Sequence, residues 1–225
     1  MIVVTGASRG LGRSICDRLL SKDIEVFGLA RNVEGIPFPS MRCDVSSYED
    51  VKAVAQKLKK DDLKIDGLIN AAGIASMNLA VTTPSNISQD IVHTNLLGTI
   101  YCCQKIAPLM MRNKAGTIIN FSTIAVALGL KGESIYAASK AGVEGFTRAF
   151  AREMADFNVN VNCIAPGPID TNLLKGITSS QINKIVSQQI IPKQFTPDAV
   201  SDLVELLIDS RSNCLSGQVL HVGGA

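Results

Sequence analysis

Short runs of β-branched and apolar residues alternate with longer helical patterns along nearly the whole chain, and this alternation restricts the fold more than any other feature. Strands are predicted at 2–5, 25–29, 40–43, 67–70, 117–121, 160–164 and 218–222. Helical spacing lies between them at 11–20, 48–60, 87–112, 136–157 and 197–208. Such strand–helix–strand repetition makes a parallel sheet covered on both faces. The segments "MIVV", "GLIN" and "TIIN" are nearly continuous apolar runs, as burial on both sides requires. The expectation is α/β: one doubly wound domain over residues 1–225, with a parallel sheet of about seven strands and helices on both faces. One connection breaks the rhythm. "ARNVEGIPFP", before Ser40, holds two prolines and a glycine and is too short for a helix, so it is predicted as a loop.

The first predicted strand runs into "TGASRGLG", which opens the first helix. Gly6, Gly10 and Gly12 stand where a backbone must turn sharply and let a ligand come close. A helix N-terminus there offers unpaired N–H groups and partial positive charge to a pyrophosphate. Here the glycines read G-x-x-x-G-x-G, not the more widespread G-x-G-x-x-G.

Charge excludes other partner classes. Lys and Arg number 22 against 20 acidic residues, with no basic run, so neither nucleic acid nor an anionic membrane is expected as a partner. No apolar run approaches the ~20 residues needed to cross a bilayer. The opening "MIVVTGAS" lacks a basic n-region, and a cytoplasmic location is expected. The six cysteines form no C-x-x-C pair and have no histidine at ligand spacing; free thiols and no metal are expected.

Tyr136 and Lys140 in "YAASK" are one helical turn apart, so both project from one face. A free tyrosine titrates near ~10, too high to cycle protons readily at neutral pH. An ammonium ~5 Å away, at an effective dielectric of ~20, favours phenolate by ~3 kcal/mol, or about two pKa units. That would bring the phenol into the range of a general acid/base.

Six motifs in order then resemble the short-chain dehydrogenases/reductases, a family with a single-domain Rossmann fold: "TGASRGLG", "CDV" (43–45), "NAAG" (70–73), "HTNLLGT" (93–99), "YAASK" and "PGPIDT" (166–171). "SGQVLHVGG" also ends the chain much as family members end. The resemblance covers essentially the whole chain and implies hydride transfer with a nicotinamide cofactor. It assigns cofactor contacts to Gly6, Ser8, Arg9, Gly10, Leu11, Gly12, Asp44, Val45, Asn70, Ala71, Gly73, Tyr136, Lys140, Pro166, Gly167, Ile169 and Thr171. Lys140 would hold the nicotinamide ribose, and Asn95 would fix a water beside it as part of a proton path.

The end of the second strand separates NAD from NADP in this family, because an acid there bonds the ribose 2′-OH. Here Ala30 and Arg31 stand in its place, and Arg9 lies close by, so two guanidinium groups can clamp a 2′-phosphate and NADPH/NADP+ is expected. Family members also place a serine twelve residues before the tyrosine. Counting back from Tyr136, that position is Thr123; Ser122 is one residue short, on the opposite face of the strand end. Thr123 is the preferred hydroxyl for the substrate oxygen, with Ser122 as its rival.

The segment 171–195 corresponds to the family's substrate lid, with Leu173, Leu174, Ile177, Ile182, Ile185 and Val186 as its apolar side chains. The resemblance is nearest to 3-oxoacyl-acyl-carrier-protein reductases of fatty-acid synthesis, and implies a small or carrier-bound carbonyl substrate. Lys105, Arg112, Lys114, Arg148 and Arg152 are candidates for docking an acidic carrier. Alternatives are a sugar, polyketide or other alcohol substrate, or a cofactor-binding sensor or scaffold without turnover. A homodimer or homotetramer through the helix that carries Tyr136 and the long helix before it is also implied.

Overall fold

The computed structural model describes residues 1–171 and 178–225. Seven strands form one parallel sheet: β1 (Ile2–Thr5), β2 (Val26–Ala30), β3 (Ser40–Arg42), β4 (Gly67–Asn70), β5 (Gly116–Phe121), β6 (Val159–Pro166) and β7 (Val219–Val222). Their order is β3-β2-β1-β4-β5-β6-β7. The chain winds outward from β1 to β3, returns to place β4 beside β1, and then winds the other way. The crevice at the carboxyl ends of β1 and β4 is therefore the switch point, where open α/β sheets bind ligands.

The helices are α1 (Gly10–Leu20), α2 (Tyr48–Lys60), α3 (Ser85–Val92), α4 (Gly98–Asn113), α5 (Ala125–Leu128), α6 (Ser134–Ala155), α7 (Ser179–Val186) and α8 (Pro197–Ile208). Strand parity sorts the core into two layers. Val3, Leu68 and Ile118 face α2, α4 and α6, where they pack with Val54, Ile106 and Phe150. Ile2, Val4 and Ile119 face α1 and α8, where they pack with Ile15, Leu19 and Val204. Among the described residues, no helix is long and apolar enough to cross a membrane.

The predicted loop between β2 and β3 is a loop in the structure. Phe38 does the covering that a crossover helix would do. It is buried, and a Cβ on Gly28 would fall 2.8 Å from its ring, so glycine lets the ring lie directly on β2. The Arg13 guanidinium sits over that ring, 5.5 Å from its centroid.

The single helix predicted over 87–112 is instead α3, a π-helical turn at His93–Leu97, and α4. Periodicity does not reveal one wide turn inside a helix. Here the turn carries Asn95, whose amide pairs with both backbone groups of Ile74 in the loop after β4. Within α4, Gly98 packs so closely on Val45 that a Cβ would lie 2.9 Å from its side chain. The remaining boundary shifts are one or two residues, β6 included, which ends at Pro166 where β7 pairs alongside it. Of the expected lid, Leu173, Leu174 and Ile177 lie outside the described residues. Its second half folds as α7, opened by a capping box in which Thr178 and Gln181 satisfy each other's backbone N–H.

Candidate active site

A cleft of about 800 Å³ opens along the carboxyl ends of the strands. Its floor begins with the turn from β1 to α1. Gly6 (φ +71°) and Gly10 (φ +57°) adopt left-handed backbone, which other residues adopt only with strain. Gly12 is required for packing: a Cβ there would lie 2.5 Å from the Gly6 carbonyl oxygen. Arg9 is the N-cap of α1 and caps nothing with its side chain, and the first turn holds no acid. The helix N-terminus therefore keeps its positive end for an anion.

The same cleft is lined by Ser8, Leu11, Asp44, Val45, Ala71, Gly73, Pro166, Gly167, Ile169 and Thr171. Arg9 and Arg31 also line it and are exposed, and among the described residues neither forms an ion pair. Asp44 holds its own loop, accepting the Ser46 N–H (3.0 Å) and hydroxyl (2.7 Å). The close glycine cradle, the uncapped helix end and the two free guanidiniums fit a dinucleotide carrying an extra phosphate.

Asn70 departs from the expectation. It is buried away from the cleft, donating to Asn120 Oδ1 (2.8 Å) and Cys103 Sγ (3.4 Å), while Asn120 donates to the Thr147 hydroxyl (2.9 Å). The pleat turns this strand-end amide toward α4 and α6, so it ties β4 to β5 and does not touch the cleft. Asn95 also stays out of the cleft lining. It bonds Ile74 N and O (2.9 Å each) and the Ser139 hydroxyl (3.1 Å), which in turn donates to the Tyr136 carbonyl. Gly73 lies between Asn95 and Lys140: a Cβ on it would be 3.2 Å from Asn95 Oδ1 and 3.5 Å from Lys140 Nζ.

Tyr136 and Lys140 both line the cleft from α6 and are 8% and 5% exposed. The Lys140 ammonium donates to the Phe121 carbonyl at the end of β5 (2.8 Å). Burial lowers its pKa to about 8, with Cys163 acting in the opposite direction. The Tyr136 phenol is raised well above its ordinary value, first by burial and then by the charge of Glu133, against a smaller lowering from the Thr123 hydroxyl. This reverses the direction expected from the Tyr136–Lys140 spacing. Spacing along a helix puts the two groups on one face, but it does not report how deeply the phenol is buried or where the ammonium bonds.

The two consecutive hydroxyls part company. Thr123 lines the cleft, accepts the Ala125 N–H (3.2 Å) and bears on the Tyr136 phenol. Ser122 also borders the cleft, but its hydroxyl donates to Glu144 Oε1 (2.7 Å), and Arg148 holds the other carboxylate oxygen (3.3 Å). The sequence reading missed Glu133, which lines the cleft, and Glu144 and Asn120, which hold Ser122 and Asn70 behind it. Glu144 stands one turn beyond Lys140 on the face that carries Tyr136, and Asn120 is the lone amide in an apolar strand. Both signals were legible.

The chain matches the family model described as "short chain dehydrogenase" over residues 1–182. It is 33% identical over 236 aligned residues to a 3-oxoacyl-acyl-carrier-protein reductase of Staphylococcus epidermidis, covering 99% of this chain and 96% of that protein. A reductase of the same name from Vibrio harveyi is 32% identical, with coverage of 99% and 95%. Among solved structures, the ligand-free aldohexose dehydrogenase of Thermoplasma acidophilum superposes with a TM-score of 0.90 at 28% identity, covering 99% of this chain and 92% of that one. ElxO with NADP bound gives 0.90 at 29%, covering 98% and 96%. With a matching model over most of its length, relatives of near-equal length and this cleft at the sheet's switch point, the chain belongs to the short-chain dehydrogenase family.

Proposed function

We propose that this oxidoreductase reduces a carbonyl compound to an alcohol with NADPH, its substrate being a 3-oxoacyl thioester or a related ketone. The observation that carries the reading is the convergence of Tyr136, Lys140 and Thr123 in the cleft that holds the glycine turn and the two unpaired arginines. A bound nicotinamide supplies the hydride. Tyr136 gives its phenolic proton to the carbonyl oxygen, and the Thr123 hydroxyl bonds the same oxygen. A buried phenol with a raised pKa holds its proton at neutral pH, as an acid for reduction must. Lys140 leaves the Phe121 carbonyl for the cofactor ribose, and Asn95, across Gly73 from it, helps carry a proton toward solvent. Arg9 and Arg31 grip a 2′-phosphate.

The named reductases support the acyl class, and ElxO supports NADP. For a carrier-bound substrate, Arg112, Lys114 and Arg152 are the basic residues on offer, since Lys105 sits over the Tyr48 ring (4.5 Å) and Arg148 pairs with Glu144. The test is consumption of NADPH and NADH by the purified chain with β-ketoacyl thioesters, simple ketones and aldoses. The expected result is thioester or ketone reduction with a higher kcat/KM for NADPH, lost in Tyr136→Phe. NADPH binding with no turnover of any carbonyl would favour a sensor, and a preference for NADH would overturn the cofactor assignment.

A further inference from the structure

Glu133 is the acid whose charge acts on the proposed proton donor, and among the described residues nothing pairs with it. It stands at the N-cap position of α6, three residues before Tyr136. Its side chain makes no cap hydrogen bond, and among the described residues its carboxyl has no hydrogen bond or ion pair. It lines the cleft instead and is half-buried; the lining also includes Ile74, Leu130, Ile182 and Ile185. Burial alone raises its pKa, so no cation offsets it, yet its charge reaches the Tyr136 phenol. A half-buried acid without a partner is unfavourable, and such groups concentrate where a ligand meets them.

We propose that Glu133 sets the charge class of the substrate: the cleft accepts a carbonyl compound that is neutral beside the reacting carbon and rejects one bearing a carboxylate there. The inference rests on the carbonyl reduction argued above. A substrate held by Tyr136 and Thr123 places its next functional group within reach of Glu133. If that group is a carboxylate, two negative charges meet in a poorly screened wall, which weakens binding by roughly ten- to a hundredfold at separations of ~6–10 Å and an effective dielectric of ~20. An ester, thioester or amide there brings no charge and meets no such repulsion. A 3-oxo acid thus has to arrive with its carboxyl already masked, so the reaction that supplies this substrate is an acyl activation or transfer.

The test compares kcat/KM with NADPH for one short 3-oxo acid as its free acid and as its neutral ester or thioester, in wild type, Glu133→Gln and Glu133→Lys. Both substrates share the Tyr136 step, so any change in the phenol cancels in their ratio. Wild type should prefer the neutral form by at least about tenfold. Glu133→Gln should bring the ratio toward unity through a lower KM for the free acid, and Glu133→Lys should carry it further. Reduction of both forms with an unchanged ratio in Glu133→Gln overturns the inference and leaves the reductase reading standing. Wild-type preference for the free acid overturns it without recourse to a variant. If wild type reduces neither, while the panel above also finds no carbonyl substrate, the reductase reading itself fails.

Discussion

Ser122 and Thr123 are adjacent in the chain, and the end of β5 turns their hydroxyls to opposite sides. Ser122 satisfies the buried Glu144 carboxylate, while Thr123 stays with the Tyr136 phenol. Their substitutions should therefore fail in different ways. Thr123→Val is expected to lower kcat by about 10²–10³ with little change in stability, the usual effect of removing one polarising donor. Ser122→Ala leaves a buried carboxylate oxygen without its donor, and should cost about 1–3 kcal/mol of unfolding free energy. Steady-state kinetics and urea titration of both variants decide this. A rate loss in Ser122→Ala with Thr123→Val unimpaired would exchange the two roles. Counting residues back from Tyr136, with the alternation of a strand, puts the two hydroxyls on opposite faces, and in the structure they have different partners. The depth at which the phenol sits was not countable, because it depends on side chains from β5, α6 and the loop after β4.

Single elements were legible in proportion to how local their signals are. The loop before β3 announced itself through proline and glycine, and Thr196 and Pro197 cap and open α8. The π turn between α3 and α4 was hidden, since it adds one residue to a turn and leaves the apolar face continuous. The direction of the Asn70 side chain was not legible, because an amide at a strand end looks the same in sequence whether it faces the cleft or the sheet's far layer. Along α6, Ala138, Ala141, Gly145 and Ala149 form an exposed, small-sided stripe, and no atom lies within 4 Å of a Cβ built on Gly145. That face lets a second helix approach closely, and we propose a homodimer or homotetramer through α4 and α6. Sedimentation should give a multiple of the 23.9 kDa chain mass. A Gly145→Arg variant should shift the distribution toward monomer, and a wild type that stays monomeric at micromolar concentration would remove the interface.

Across the whole molecule, five thiols are shut inside the two core layers. Burial pushes Cys16, Cys43, Cys103 and Cys163 up to about 12, and Cys102 well above its ordinary 9.0. Unfolded, each thiol loses its proton near pH 9; folded, it keeps it. Above pH 9 the unfolded chain therefore binds fewer protons, and stability falls as pH rises. Tyr136 adds to this from about pH 10. Lys140 has the opposite sign: the folded form loses its proton near 8 and the unfolded form near 10.5, so it favours folding as pH climbs between them. One amine against several thiols leaves a net loss, up to about 1.4 kcal/mol per pH unit for each thiol. Urea midpoints measured from pH 8 to 11 should drop steeply above 9; a flat or rising profile would contradict the burial of the thiols.

The order of strands and helices, the glycine turn, the two arginines and the Tyr136–Lys140 pair were determined by the sequence itself. Each rests on neighbours within a turn of helix or a few residues of strand, where backbone geometry allows few alternatives. Tertiary structure alone decided the inward turn of Asn70, the Ser122–Glu144–Arg148 contact, the rise of the Tyr136 pKa and the unpaired state of Glu133. All four depend on burial and on charges from segments distant in the chain, and solvent exclusion is a property of the assembled layers.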